Sequence, residues 1–470
     1  MITTPEQIDA WRAARSEHQN LEFKEAKNQF DNRKLFRYCV ALANEGGGHL
    51  LLGIEDVPPR KVVGTSAFND PVEMAAKLFQ TLNFRVEIEE VAHPDGRVLV
   101  FHIPSRPLGT AYQFEGAYLM RAGEELVAMS EDRLRQIFSE GQPDWLSQSA
   151  KTNARDDEVI ALLDTQAYFD LMKLPYPTQQ TGVLERLASE GLIQRASNGW
   201  KISNLAAILL AKKLDAFSPA LARKAPRVVI YDGTNKLRTK DDKPGNRGYA
   251  VGFEGLVDFV HSAAPKNQFI EEAVRQEVKM FPKQALRELI ANALIHQDFV
   301  MTGASVMIEM YDDRVEISNP GLPPIHVERF IDEYRSRNER LADLMRRLGI
   351  CEEKGSGIDK VISASEVFQL PAPDFRVGVL RTTAVLFAHQ DLDQMNRNDR
   401  IRACYQHCCL RYVMNGPMNN QSLRDRFKLS EKKVATVTAI ITATVEAGKI
   451  KLADSTQTST RYRSYIPFWA

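Results

Sequence analysis

A chain of 470 residues is too long for one hydrophobic core and, at roughly 100–200 residues per domain, should fold as about three. Hydrophobic residues at 44% and charged residues at 26% supply enough apolar mass to fill several cores, which excludes large-scale disorder. Lys plus Arg and Asp plus Glu both number 61, so net charge points to neither a nucleic acid nor a membrane, and any basic surface must be local.

The stretch Met1 to Asp9 is polar and acidic and lacks the apolar centre of a secretory signal. No apolar run approaches the ~20 residues that cross a bilayer, so no membrane insertion is expected. Cys39, Cys351, Cys404, Cys408 and Cys409 are odd in number and unevenly spread, which suits a reduced, cytoplasmic protein better than a disulfide framework.

Taken in order, the elements describe an α+β multidomain chain. Residues 1–142 form the first domain, with strands predicted at His49–Ile54, Arg85–Val91 and Arg97–Ile103 and helices at Lys34–Asn44, Pro71–Leu82 and Ser130–Phe138. Residues 143–222 read as a polar linker followed by a small helical or winged element around Thr178–Ile193 and the turn at Asn198-Gly199. Residues 223–390 form a larger α+β domain. Its strands are expected at Val228–Tyr231, Ser305–Tyr311, Val315–Ser318 and Thr383–Phe387, and its helices at Glu254–Ala263, Pro282–Ile295 and Asn338–Leu348. Residues 391–470 are helical and then strand-like, with no solenoid repeat anywhere.

In the first domain, Glu17 to Glu25 contains Glu22-Phe23-Lys24, and a helix then ends in Ala41-Leu42-Ala43-Asn44-Glu45-Gly46-Gly47-Gly48. A tight turn accounts for the glycines on its own terms, since they admit positive φ and close backbone approach. The arrangement also resembles the AlbA-2 domain shared with Schlafen proteins, as do Arg106-Pro107 and Tyr118 to Gly123. That resemblance implies nucleic-acid binding, for which Lys24, Lys27, Arg33, Lys34 and Arg37 could pair with phosphate whatever the base. It also implies a metal-dependent nuclease alternative, in which Glu17, Glu22 and Glu55 (or Asp56) hold Mg²⁺ or Mn²⁺. The competing reading is that Glu17 and Glu22 only pair with surface lysines.

In the central domain, Ala285, Leu286, Leu289, Ile290, Ala293 and Leu294 recur at three and four residues, which predicts a helix with one buried stripe. Glu288, Asn292 and His296 stand one turn apart on another face, where they point into one space or simply form an exposed polar face. An amide oxygen suits Mg²⁺, and a carboxylate can polarise water beside a γ-phosphate. Downstream come the turn Ser318-Asn319-Pro320-Gly321 after a strand, and Lys354-Gly355-Ser356-Gly357 opening into a helix, where backbone N–H groups favour phosphate.

This ordered set resembles the GHKL ATPases, a Bergerat-fold α/β sandwich, and most nearly the branch found in bacterial ATP-binding transcriptional regulators. The resemblance makes Glu288 the general base, Asn292 the Mg²⁺ ligand, Gly321 part of an adenine pocket with Asn319, and Gly355 and Gly357 a phosphate lid beside Lys354. His296 belongs to the same cofactor site. Asn319 stands where the family carries an aspartate on the adenine amino group; its amide oxygen still accepts a hydrogen bond but has no charge.

At the C-terminus, Ser422–Phe427, Glu431–Ala447 and the basic stretch from Lys449 read as helix, turn, helix and wing, with Ser430 as an N-cap and Gly448 as a stop. The segment resembles winged helix-turn-helix domains. In that resemblance Lys432, Lys433 and Thr436 face the major groove and Arg461 and Arg463 reach phosphates, while a dimerisation or docking role remains open. Cys404, His407, Cys408 and Cys409 lack paired metal-ligand spacing and read as a helix with buried thiols.

Together these readings predict a protein in which ATP and Mg²⁺ control the hold of the terminal domains on DNA or RNA, assembled at least as a homodimer and free of the membrane. Two alternatives stand beside it: an ATP-switched nuclease and a scaffold with a decayed nucleotide site.

Overall fold

The computed structural model describes residues 3–13, 20–122, 125–141, 144–271, 274–351, 357–454, 456, 457, 459 and 463–470. The chain divides into two compact units, Met1–Pro143 and Asp144–Ala470.

In the first unit, Leu21–Lys24 pairs in parallel with Gly48–Leu52, and Gly96–Ile103 and Glu87–His93 continue the four-stranded sheet antiparallel. The parallel pair is joined by the helix Asn32–Asn44, which starts where the Asp31 carboxylate accepts from the Lys34 N–H at 2.8 Å. Both faces of the sheet are covered: Leu50 and Leu52 face that helix, while Leu51 and Ile54 pack with Ile8 and Trp11 of the helix Pro5–Arg12. Two-sided burial explains why the sequence there is a continuous apolar run rather than an alternation. The glycine run is needed at Gly47, whose φ is +86° and where a Cβ would lie 2.7 Å from the Ser105 nitrogen. Asn44 is a fastener: its Nδ2 donates to the Tyr112 and Leu119 carbonyls, each at 2.9 Å, and its Oδ1 accepts from the Tyr112 N–H at 2.8 Å.

The second unit is dominated by one hydrophobic core that runs from Leu146 to Leu386. The stretch 143–222, read as a polar linker followed by a small helical or winged element, supplies side chains to this core from Leu146 onward. Ser149–Ala154, Gly199–Ser203 and Ile193–Ala196 form a three-stranded sheet, and the helix Asn204–Leu210 is buried at every residue. With no exposed face, that helix requires neighbours on all sides, and these include Tyr249–Ala263, the helix Thr165–Leu171 and the strands Ser149–Ala154 and Gly199–Ser203.

The larger sheet has six strands in the spatial order Thr239–Pro244, Arg227–Tyr231, Met307–Met310, Arg314–Pro320, Arg381–Phe387 and Asp374–Val377. Only the Arg227–Tyr231 and Met307–Met310 pair is parallel. The helices Tyr249–Ala263, Lys283–His296 and Gly357–Val367 contribute side chains to the same core as the sheet. Lys266–Glu271 and Val274–Lys279 add a separate hairpin.

C-terminal to the sheet come the helices Arg397–Val413, Asn420–Arg426 and Val434–Glu446, then the antiparallel strands Ile450–Leu452 and Tyr465–Pro467. Met418 bridges to Tyr465. The longer helix starts later than expected: Ser430 precedes a 3₁₀ turn, Glu431–Lys433, and makes no side-chain cap bond. Gly448 does follow the helix, at φ +68°. Cys404, Cys408 and Cys409 are buried and all cysteines are free; burial pushes the Cys404 and Cys409 thiols up to about 12, where they are inert. Among the described residues, no helix is long and apolar enough to cross a membrane.

Candidate functional site

The helix Lys283–His296 turns Ala285, Leu286, Ile290 and Leu294 into the core and carries Glu288, Asn292 and His296 along the wall of a cavity of about 500 Å³. Its end is held by Asn338, whose Nδ2 donates to the carbonyls of Ile295 at 2.6 Å and Gln297 at 2.8 Å, groups the helix leaves unpaired. Glu288 is buried; Asn292 and His296 are half-buried. Ile317, Phe375 and Ala384 of the sheet give the cavity an apolar portion, and its polar lining includes Arg335 and Arg346 together with the carboxylates Glu333, Glu339 and Asp343. Apolar lining with convergent polar groups is the usual composition of a small-ligand site.

Gly357 begins the next helix against this wall. A Cβ there would fall 2.9 Å from Glu288 Oε2 and 3.7 Å from Asn292 Nδ2, so the backbone of the helix start passes over both side chains. His296 keeps its Nδ1 buried without a hydrogen-bond partner, and burial, aided by the Arg337 guanidinium, pulls its pKa down to about 4. The ring is therefore neutral at physiological pH. Asn319 is buried and donates through Nδ2 to the carbonyls of His296 at 3.3 Å and Pro320 at 3.1 Å. Both donors are thereby used, and its Oδ1 is left as the acceptor at a cavity-lining residue.

Gly321 departs from its expected place. It does not line the cavity; at φ +101° its N–H donates to the Leu380 carbonyl at 2.9 Å, and a Cβ would meet Asp298 Cβ at 3.0 Å. Its smallness serves packing against Asp298 and Arg337. Lys354 and Gly355 lie outside the described residues. Sequence reasoning missed Arg335, Arg346, Thr382 and Cys351, which all line the cavity. Only Thr382 carried a local signal, as the residue before a predicted strand beside the Asn319 turn. Burial first, and then nearby Glu288, push the Cys351 thiol up to about 11.

In the N-terminal unit, Glu22 is 1% exposed and held by two cations: Arg121 Nη2 at 2.5 Å and Lys24 Nζ at 2.7 Å. Glu55 is half-buried and Glu17 lies outside the described residues. Among the described residues, no group of three or more His, Cys, Asp or Glu side chains is placed to hold a metal. Among the described residues, Glu22 is paired with Arg121, about 100 positions away in sequence, and with Lys24, which neutralise its charge.

Residues 17–130 match the family described as "Schlafen, AlbA_2". Residues 303–386 match the family described as "Putative ATP-dependent DNA helicase recG C-terminal". One stretch of the chain is thus similar to AlbA_2 domains, and a second, ATPase-like stretch to the recG C-terminal family. No curated protein matches the sequence. Among solved structures, the DIP2311 protein from Corynebacterium diphtheriae is 17% identical, with 98% of this chain and 96% of that one covered and a TM-score of 0.44. The N-terminal domain of a RecG-related protein from Nitrosomonas europaea is 20% identical, with 28% of this chain and 96% of that one covered and a TM-score of 0.20. The match to the ATPase segment begins after the helix that carries Glu288 and Asn292, so those residues stand on geometry alone.

In the AlbA_2 segment the expected basic face is thinner than its sequence suggests. Lys24 bonds Asp56 Oδ2 as well as Glu22, each at 2.7 Å; burial opposes its charge, yet the two carboxylates hold its pKa above the usual lysine value. Lys27 pairs with Glu25 at 2.6 Å and Arg33 with Glu115 at 2.5 Å, all on the surface. Lys34 and Arg37 are exposed on the helix Asn32–Asn44. Beyond the ATPase segment, Lys432 and Lys433 are exposed in the 3₁₀ turn, whereas the following helix exposes Val434, Ala435, Thr438, Ala439 and Thr442 and carries no cation. Arg463 is half-buried and Arg461 lies outside the described residues.

Proposed function

We propose that this chain binds ATP with Mg²⁺ in the cavity beside Gly357 and that nucleotide occupancy controls how its terminal elements engage DNA or RNA. The observation that carries the reading is the convergence of Glu288, Asn292 and the helix start at Gly357 on a cavity that Ile317, Phe375 and Ala384 also line. These apolar side chains suit a nucleobase, and the helix N-terminus with Arg335 and Arg346 suits a triphosphate. In this GHKL-type sandwich, Asn292 offers its amide oxygen to Mg²⁺, which would neutralise phosphate charge, and Glu288 is the base that orients water. His296 stays neutral beside them, and Asn319 Oδ1 accepts from an amino group on the base, favouring adenine over guanine, whose O6 is itself an acceptor. Lys354 and Gly355 keep the phosphate-side role that the family resemblance gives them.

The order helix, bridge at Met418, helix, helix and two strands supports a winged helix-turn-helix reading of the C-terminal element. Its cations at Lys432 and Lys433 suit phosphate contact. Lys34 and Arg37 play the same part in the AlbA_2 segment. Binding rather than cleavage is favoured there, because Glu22 is already paired. Assembly as a homodimer completes the proposal.

The test is a titration with a fluorescent, non-hydrolysable ATP analogue, with and without Mg²⁺, followed by DNA and RNA affinities in each state. Asn292→Ala should abolish the Mg²⁺-dependent part of analogue binding; unchanged binding would overturn the site. Labelled DNA, RNA and tRNA left intact in Mg²⁺ or Mn²⁺ would retire the nuclease alternative, and cutting abolished by Glu22→Ala would restore it.

A further inference from the structure

The helix Gly357–Val367 belongs to two cores at once. Val361 is buried in the core beneath the six-stranded sheet, whereas Ile362 packs among Cys408, Leu423 and Ile441 of the C-terminal element. Ile358, Ile362 and Glu366 follow at i, i+4 and i+8 and so form one stripe along the helix. Ile358 lines the nucleotide cavity. Roughly 12 Å away at 1.5 Å per residue, Glu366 meets both of the first two C-terminal helices: His407 Nδ1 lies 3.0 Å from its Oε1, and Arg426 Nε lies 3.3 Å from the same oxygen.

The segment that follows is gripped by the same helices. Arg426 Nη2 donates to the Leu370 carbonyl at 2.6 Å, Arg402 Nε to Ala372 at 3.1 Å and Gln406 Nε2 to Pro373 at 2.8 Å. The Arg426 side chain is 2% exposed and that of His407 7%, so the cluster is shielded from water. A buried guanidinium is tolerated only while its carboxylate partner is in place, which ties the position of the C-terminal helices to Glu366.

We propose that the helix Gly357–Val367 is a lever that carries nucleotide occupancy at Gly357 to the C-terminal element through Glu366. It rests on the nucleotide reading above. Movement at the helix start cannot be absorbed along a hydrogen-bonded helix of this length, so it appears at the far end. There the charged joint passes it to the helices Arg397–Val413 and Asn420–Arg426. A purely static fastener would hold those helices equally well with or without nucleotide.

Hydrogen exchange of the full chain, with and without a non-hydrolysable ATP analogue and Mg²⁺, separates the two. In the parent protein the analogue should change amide exchange in the two C-terminal helices by at least about fivefold, the lower end of usual coupling. Glu366→Gln should keep analogue affinity within about twofold, as expected for a change distant from the cavity, and lose the exchange response. If Glu366→Gln loosens the C-terminal helices outright, His407→Gln, which leaves the Arg426 pair intact, should reduce the response while melting at the parent temperature. A response of parental size in both variants, or none in a parent that binds the analogue, overturns the lever and leaves the nucleotide site standing. A parent that does not bind the analogue removes the site and the lever together.

Discussion

Gly357 sits against Glu288: the Cβ that any other residue would bring to position 357 falls 2.9 Å from the Glu288 carboxylate oxygen. Gly357→Ala should therefore displace that carboxylate while sparing the fold, since alanine is a better helix former than glycine and no positive φ is required there. The expected result is a loss of about tenfold in ATP-analogue affinity, ~1.4 kcal/mol, with an unchanged far-ultraviolet spectrum. Parental affinity would show that the helix start does not approach the ligand.

His296 gives the cavity a pH signature. Its folded pKa of about 4 lies below the ordinary 6.5, so the unfolded chain takes up the proton first as pH falls. The contribution to stability is complete above 6.5 and is lost between 6.5 and 4, by at most about 3 kcal/mol at ~1.36 kcal/mol per unit. Denaturation midpoints of the parent and of His296→Gln should run parallel above pH 7 and diverge below it, the parent falling faster. Parallel curves down to pH 4 would show that the ring is not desolvated.

Glu22 and Arg121 are each 1% exposed, so removing one partner leaves a buried charge. Arg121→Met alone should destabilise the N-terminal unit by about 3 kcal/mol, the lower end for a broken buried pair, since Lys24 remains beside Glu22. Adding Glu22→Gln to it should recover most of that loss. Urea titration followed by exchange of the amides of Leu21–Lys24 reads both. A double variant as weak as the single one would contradict a pairing role.

Lys432 and Lys433 precede a helix that carries no cation of its own. Replacing both by alanine should weaken DNA binding across sequences alike, with the salt dependence of affinity falling by about 0.9 in slope per lost phosphate contact. A change in sequence preference instead would mean that these residues read bases.

Much of the local structure was legible because its signals are local. The helix Pro71–Leu82 was legible from its apolar periodicity, and its start is fixed locally, where Asp70 accepts from the Val72 and Glu73 N–H groups. The Glu288, Asn292 and His296 spacing put those residues on one face, which is where the cavity lies. The edge strands Thr239–Pro244 and Asp374–Val377 were missed, the first because Thr-Lys-Asp-Asp-Lys-Pro shows no apolar alternation. Gly321 was misplaced because a turn glycine announces its backbone and not what lies beside it. The tie between Glu22 and Arg121 was hidden for a different reason. A contact between positions about 100 residues apart leaves no trace in spacing, and only the packing of the strand Ala117–Ala122, which belongs to another sheet, brings Arg121 to Glu22.

The unbroken packing from Leu146 to Leu386 makes that stretch one folding unit. A fragment cut to begin at 223 would strip Val228, Tyr249 and Phe253 of the shared interior that Leu205, Ile208 and Leu209 help to build, and it would bare apolar surface rather than report on nucleotide.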